Sequence, residues 1–163
     1  MIIGVISDTH GRISDKALEV LKGSAAIIHA GDVGSLDVIK ALEEIAPVYP
    51  VRGNTDRGIW AQSLHMTQLV EIGVRSFYVL HDIGALDIEP KSIGIDAVIY
   101  GHTHKPKEEM RDGVLYFNPG SAGPKRFNLP VCLGRITIAD EKLVAGWVDL
   151  SREKNRKLGK WFL

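Results

Sequence analysis

Seven side chains that donate oxygen or nitrogen to metals sit in short polar motifs of this chain. They are Asp8 and His10 of Asp8-Thr9-His10, Asp32 after Gly31, Asn54 after Gly53, His81, and His102 and His104 of Gly101-His102-Thr103-His104. Two carboxylates, one amide and four imidazoles form an O/N set suited to divalent transition metals. Seven donors exceed what one ion needs if positions stay open for water and substrate. They suit two ions if one carboxylate bridges. Two cations about 3.5–4 Å apart hold a hydroxide, neutralise phosphate oxygens and stabilise both entering and leaving oxygens of an in-line displacement. Coordination also brings the pKa of bound water from ~15.7 to near neutral, so no side-chain nucleophile is required.

The elements that must position these donors are written just before them. Apolar runs over Ile2 to Ile6, Ala25 to Ala30, Val48 to Val51, Phe77 to Leu80 and Ala97 to Tyr100 each end at one of the motifs. Runs of this length bounded by turn residues read as strands buried on both faces. Open α/β sheets bind ligands outside the carboxyl ends of their strands, which is where each motif falls. Asp8 and His10, and likewise His102 and His104, are two residues apart, a spacing that puts both side chains on one face of an extended segment. Gly31, ahead of Asp32, lets the backbone approach closely.

Between the first runs lie helical patterns. Ser14 is an N-cap candidate for a helix with apolar Ala17, Leu18 and Leu21, which Gly23 stops. Ser35 is placed to cap a second helix carrying Leu36, Val38, Ile39, Leu42 and Ile45, which Pro47 ends. The order β-α-β-α-β predicts a parallel sheet with helical crossovers. Pro50 removes a ladder donor and places its strand near an edge or bulge. The pattern then changes to hairpins about Gly73, about Asp112-Gly113 and about residues 139–142, with a short helix expected from Ile88 to Ile95. The mixture predicts two packed sheets with helices outside.

At 163 residues the chain fits a single domain, 1–163, with a basic tail over about 151–163. It is 45% hydrophobic and 25% charged, as ordinary globular proteins are. Its 20 basic and 20 acidic residues cancel, so charge does not point to nucleic acid or to an acidic membrane. No run approaches the about 18 apolar residues of a membrane span, and no basic leader precedes the first strand. The single cysteine, Cys132, reads as a buried thiol in a reducing compartment, and the expected location is the cytoplasm. Trp60 and Trp161 hint at an interface, so a homo-oligomer is left open.

Asp8-x-His10, Gly31-Asp32, Gly53-Asn54-x-Asp56, His81 and Gly101-His102-x-His104 resemble the calcineurin-like metallophosphoesterases, in the expected order and over nearly the whole chain. Asn118-Pro119-Gly120-Ser121 is similar to the small bacterial and archaeal phosphodiesterase branch. The resemblance implies a four-layer α-β-β-α sandwich of two mixed sheets flanked by helices. It implies two divalent metal ions: one held by Asp8, His10, Asp32 and His104, the other by Asp32, Asn54, His81 and His102, with Asp32 bridging. Manganese is the first expectation, with iron, zinc and nickel as alternatives.

The implied function is a dinuclear metal-dependent phosphodiesterase in which metal-bound hydroxide attacks a small phosphodiester in line. Asp32, Asn54 and Asp56 are the expected catalytic residues, Asp56 by orienting its loop or a water. Arg12, Thr55 and Arg57 are the candidate substrate contacts, the arginines by bidentate pairing with phosphate or, in a plainer reading, as solvated loop charge. Lys125 and Arg126 carry the same pair of readings. Two positions depart from the family pattern. Thr55 stands where many members have a histidine that protonates the leaving group, which predicts a preference for good leaving groups and weakens a phosphomonoesterase reading. Asp82-Ile83 follows His81 where glycine and histidine are common. The rival from another class is a protein-binding scaffold that keeps the fold but little catalysis; the complete donor set favours the enzyme.

Overall fold

The alternation of apolar residues builds two sheets that face each other. The computed structural model describes residues 1–139, 142–151 and 157–158. One sheet holds β1 (Ile2–Ile6), β2 (Ala26–His29), β3 (Val48–Pro50), β9 (Cys132–Ala139), β10 (Lys142–Asp149) and β11 (Lys157–Leu158). The other holds β4 (Thr67–Ile72), β5 (Arg75–Leu80), β6 (Ala97–Ile99), β7 (Lys107–Arg111) and β8 (Val114–Asn118). Their orders are β11-β10-β9-β1-β2-β3 and β4-β5-β6-β8-β7. Both are mixed: β1, β2 and β3 run parallel, as do β5, β6 and β8, and antiparallel strands complete each sheet.

Successive strand residues point to opposite faces, so β1 and β2 serve two cores. Ile3, Val5 and Ile28 turn inward against Phe77, Val79, Ile99, Leu115 and Phe117 of the second sheet. Ile6 and Ile27 turn outward against Ala17 and Leu21 of α1 (Asp15–Leu21) and Val38 and Leu42 of α2 (Leu36–Glu43). The indole of Trp147 on β10 crosses between the sheets, donating to the Asn118 carbonyl at 3.0 Å and stacking on Phe117. The outer face of the second sheet buries Leu80, Val98, Tyr100 and Tyr116 under Ile83 and Leu86. Two 3₁₀ turns, Ile83–Ala85 and Pro90–Ile93, form this fourth layer among the described residues, where an α-helix over Ile88 to Ile95 was expected. Pro90 opens the second turn and left-handed Gly94 closes it, which leaves no length for a regular helix.

Other expectations are met locally. The Ser14 side chain accepts from the Ala17 amide at 3.2 Å, while Ser35 stands at the N-cap of α2 without a side-chain bond. β3, with Pro50, is an edge strand. Asp112 and Gly113 both take positive φ, as the primed turn of a two-residue hairpin requires. A one-turn helix, α3 (Ile59–Gln62), was not foreseen. It packs Trp60 partly against the outer core of the first sheet, so Trp60 is no exposed interface residue. Cys132 is fully buried, its thiol pushed up to about 12 by that burial. Trp161 and the rest of the basic tail lie outside the described residues, apart from residues 151, 157 and 158. No described helix is long and apolar enough to cross a membrane.

Candidate metal centre

Parallel pairing between β1 and β2 persists past their ends and aligns their loops. The amides of Asp8, His10 and Gly11 donate in turn to the carbonyls of Gly31, Asp32 and Val33, at 3.0, 2.9 and 2.7 Å. In the second sheet the Gly101 amide donates to the His81 carbonyl at 3.0 Å. The two strand-end clusters therefore meet at one end of the sandwich. Glycine makes the closest approaches: a Cβ at Gly53 would strike the Asp32 backbone and carboxylate, and one at Gly101 the Ser7 hydroxyl.

The donors converge, though not by the extended-segment spacing expected of them. Asp8, His10, Asp32, His102 and His104 all have left-handed φ, between 48° and 68°. Each motif is thus a sequence of turns, and Thr9 between Asp8 and His10 points away to His29. Left-handed backbone at non-glycine residues costs of order 1–3 kcal/mol and clusters at functional sites, although Asp, Asn and His tolerate it better than most residues. Five such residues among seven expected ligands mark the place.

Around the first pole, Asp8 Oδ1 lies 3.2 Å from His104 Nε2 and receives no hydrogen bond of normal geometry. His104 Nε2 is 3.5 Å from His10 Nε2, with the two rings stacked. The other Asp8 oxygen accepts from the Ser7 hydroxyl at 2.7 Å and the His102 amide at 3.2 Å, which fixes the carboxylate. Around the second pole, Asn54 Oδ1 lies 3.0 Å from His81 Nε2 and 3.2 Å from His102 Nδ1. His81 Nδ1 donates to the Ala30 carbonyl at 2.8 Å and so turns Nε2 toward the donors. Asp32 stands between the poles: Oδ2 is 3.5 Å from His81 Nε2 and 3.9 Å from His10 Nε2, while Oδ1 accepts from the Thr55 amide at 2.8 Å. Asp8, His10 and His104, and Asp8, Asp32 and His81, are two groups spaced to hold a metal ion.

The electrostatics call for positive charge. Burial lowers the His10 pKa, assisted by nearby Arg126 and against the pull of Asp32 and Asp8. Burial opposes ionisation of Asp32, but hydrogen bonds from His81 and Thr55 outweigh it and hold the carboxyl well below the usual range. Burial likewise works against charge on His81, yet its bonds to Asp32 and Ala30 raise its pKa overall. A positive charge at His81 Nε2 satisfies the Asp32 and Asn54 oxygens together, whether a proton or a metal ion carries it. The orphaned Asp8 Oδ1, the imidazole nitrogens facing one another and the fixed His81 tautomer all fit metal ligation.

Asp56 is 1% exposed, and its carboxylate accepts from the amides of Val33 at 3.2 Å, Gly34 at 2.8 Å and Gly53 at 2.8 Å. It staples the loop after β2 to the loop after β3, a positioning role toward Asp32 and Asn54. His29 is buried with Nε2 2.9 Å from Thr9 Oγ1, which donates onward to the Val33 carbonyl at 2.8 Å. Asp82 is exposed and caps the turn after it by accepting from the Gly84 amide, which accounts for its place after His81. Arg12 and Arg57 are exposed, and among the described residues neither side chain hydrogen-bonds or ion-pairs with any of the seven donors. Arg126 does: its guanidinium donates to His10 Nε2 at 3.3 Å. The sequence carried no sign of which arginine this would be. Two further residues were missed in role. Asn118 donates to the Gly101 carbonyl at 2.7 Å and steadies the His102–His104 loop, and Ser121 donates to the Asp8 carbonyl at 3.0 Å. The resemblance of Asn118 to Ser121 was visible; its service to the loops needed the second sheet.

The profile of the calcineurin-like phosphoesterase superfamily domain matches residues 1–141, a stretch containing every donor. The chain belongs to the calcineurin-like phosphoesterase superfamily. It is 35% identical over 159 residues to a probable metallophosphoesterase of Methanothermobacter thermautotrophicus, covering 89% of this chain and 90% of that one. A solved structure described as a novel archaeal phosphodiesterase is similar at TM-score 0.73 and 29% identity, covering 91% of this chain and all of that one. The vacuolar protein sorting 29 structure from Cryptosporidium parvum shares the fold at TM-score 0.81, with 22% identity over 95% of this chain and 94% of that one.

Proposed function

We propose that the chain is a dinuclear metal-dependent phosphodiesterase acting on small phosphodiesters by in-line displacement. The observation that carries this reading is the place of Asp32, whose Oδ2 faces His10 on one side and His81 on the other. A carboxylate there would be placed to bridge two ions. On this reading Asp8, His10, Asp32 and His104 hold one ion, and Asp32, Asn54, His81 and His102 the other. When bound, two divalent cations supply a water activated near neutral pH and the charge that stabilises both oxygens of the displacement. The residues do the rest. Ser7 and the His102 amide fix Asp8, the Ala30 carbonyl fixes His81, and Asp56 holds Asn54 and Asp32 in one frame. Carboxylate and carbonyl oxygens favour manganese; the imidazoles accept iron, zinc and nickel as well. Thr55 provides no acid for a leaving group, so diesters with acidic leaving groups are the proposed substrates.

The test is hydrolysis of bis(p-nitrophenyl) phosphate and p-nitrophenyl phosphate by chelator-treated protein, with and without Mn²⁺. Metal-restored cleavage, with diester preferred over monoester and lost in Asp32→Asn, is the expected result. Folded protein that turns over neither ester with any of the four metals would sink the reading in favour of the scaffold.

A further inference from the structure

Arg126 is the one arginine whose side chain reaches the seven donors among the described residues, and its position is peculiar. It gives an N–H to His10 Nε2, on the ring that also lies beside His104 and Asp32. Among the described residues no carboxylate is paired with it. A guanidinium has five N–H donors, and one contact leaves most of them available to an anion. Two positive charges near one imidazole repel unless an anion lies between them. A cation in the His10 pole and the Arg126 guanidinium therefore compete when alone and cooperate when a phosphate joins them.

The segment that carries Arg126 is built against the centre. Ser121 is bonded to the Asp8 carbonyl, and a Cβ at Gly123 would strike that same carbonyl oxygen. The chain then turns at residues 126–129, closed by the Leu129 amide on the Arg126 carbonyl at 3.1 Å. Phe127 takes the first inner corner of this turn with φ +49° and is 93% exposed. A bulky aromatic at positive φ is a backbone outlier, and its side chain gains nothing from burial here. An exposed ring one residue after a guanidinium that reaches the centre offers partners for the two parts of an aromatic phosphate ester.

Resting on the phosphodiesterase reading above, we propose that Arg126 binds the phosphate of the substrate and that Phe127 stacks on an aromatic group it carries. The substrate class is then nucleoside or aryl phosphodiesters, with Arg126 on a non-bridging oxygen and Phe127 against the base or aryl ring.

Binding equilibria test this without turnover. Mn²⁺ is titrated calorimetrically into chelator-treated protein, with and without inorganic phosphate. In the wild type, phosphate tightens Mn²⁺ binding on the order of tenfold, within the range of ordinary coupling between sites. In Arg126→Ala, Mn²⁺ alone binds at least as tightly as in the wild type, and the phosphate gain shrinks to about twofold or less. Arg126→Lys, a point charge without the fork, falls between. An absent gain in the wild type, or an equal gain in Arg126→Ala, overturns the role of Arg126. For Phe127, adenosine monophosphate and inorganic phosphate are compared on the Mn²⁺-loaded protein. The wild type prefers the nucleotide by about fivefold or more, as base stacking on an aromatic ring gives, and Phe127→Leu loses the preference. A preference unchanged in Phe127→Leu refutes the stacking. Wild-type protein that hydrolyses diesters while Arg126→Ala keeps its phosphate gain defeats this inference alone; absence of turnover defeats the reading beneath it and leaves these equilibria measurable.

Discussion

Behind the seven candidate donors stand residues that hold them in place without being donors themselves. Asp56 is the clearest, with three backbone amides on one carboxylate and almost no solvent contact. Asp56→Asn exchanges a charged acceptor for an amide that cannot accept at both ends. It is expected to lower unfolding free energy by about 2 kcal/mol, the scale of losing charge-assisted hydrogen bonds. Mn²⁺ affinity should fall with it, because Asn54 and Asp32 share that frame; unchanged urea midpoint and unchanged metal affinity together would remove Asp56 from this role. His29 contributes differently. Burial is the main cause holding its pKa at about 4, below the ordinary 6.5, although Asp56, Asp8 and Asp32 pull the other way. The unfolded chain thus takes up a proton near pH 6.5 that the folded chain accepts only near 4. Stability from this site is fully present above pH 6.5 and is lost as pH falls through that window, by up to about 3 kcal/mol. Urea midpoints measured from pH 7 to pH 4 on metal-free protein should fall more steeply in the wild type than in His29→Gln. Parallel slopes would show that His29 does not carry the effect.

At the scale of the element, glycines in two settings give opposite expectations. Gly113 has φ +84° in the hairpin turn, and a Cβ there meets nothing within 4 Å. Gly113→Ala should therefore destabilise by about 1 kcal/mol through backbone strain alone and leave metal binding intact. A Cβ at Gly101 runs into Ser7 and the Asp8 carboxylate, so Gly101→Ala should lose metal affinity out of proportion to stability. Calorimetry beside thermal melts separates the two, and equal losses of affinity would contradict the placement of these loops. The same contrast explains what could be read in advance. Strand runs, the edge position implied by Pro50, the Asp112-Gly113 turn and the Ser14 cap are local, and each was legible because few neighbouring residues decide it. The short helix at Ile59 has one turn and no periodicity to detect. The convergence of the donors was legible from their position at strand ends, but the left-handed turns that aim them were not. Nor was the bond from Arg126 to His10, which joins residues 116 apart and depends on both loops being in place.

Taken as a whole, the molecule is two sheets whose loops share one centre, and on the proposed reading a bound metal would tie them together. Asp8, His10, Asp32 and Asn54 follow strands of one sheet, while His81, His102 and His104 follow strands of the other. A ligand that binds only the folded state at about 100 times its Kd adds about 2.7 kcal/mol. For a domain of this size that raises Tm by about 5–10 °C. Mn²⁺ at such a concentration should shift the wild type by that amount and Asp32→Asn by far less; equal shifts would place the ions elsewhere. The division of donors between sheets also orders events in time. Asp8 leaves the ribosome long before His104, and each proposed pole draws donors from strand ends of both sheets. Ion capture therefore cannot guide early collapse, unlike small zinc-folded domains where binding and folding are one event. On the proposed reading, metal loading would follow docking of the sheets, and the ion held would be set by the metal pool the finished protein meets.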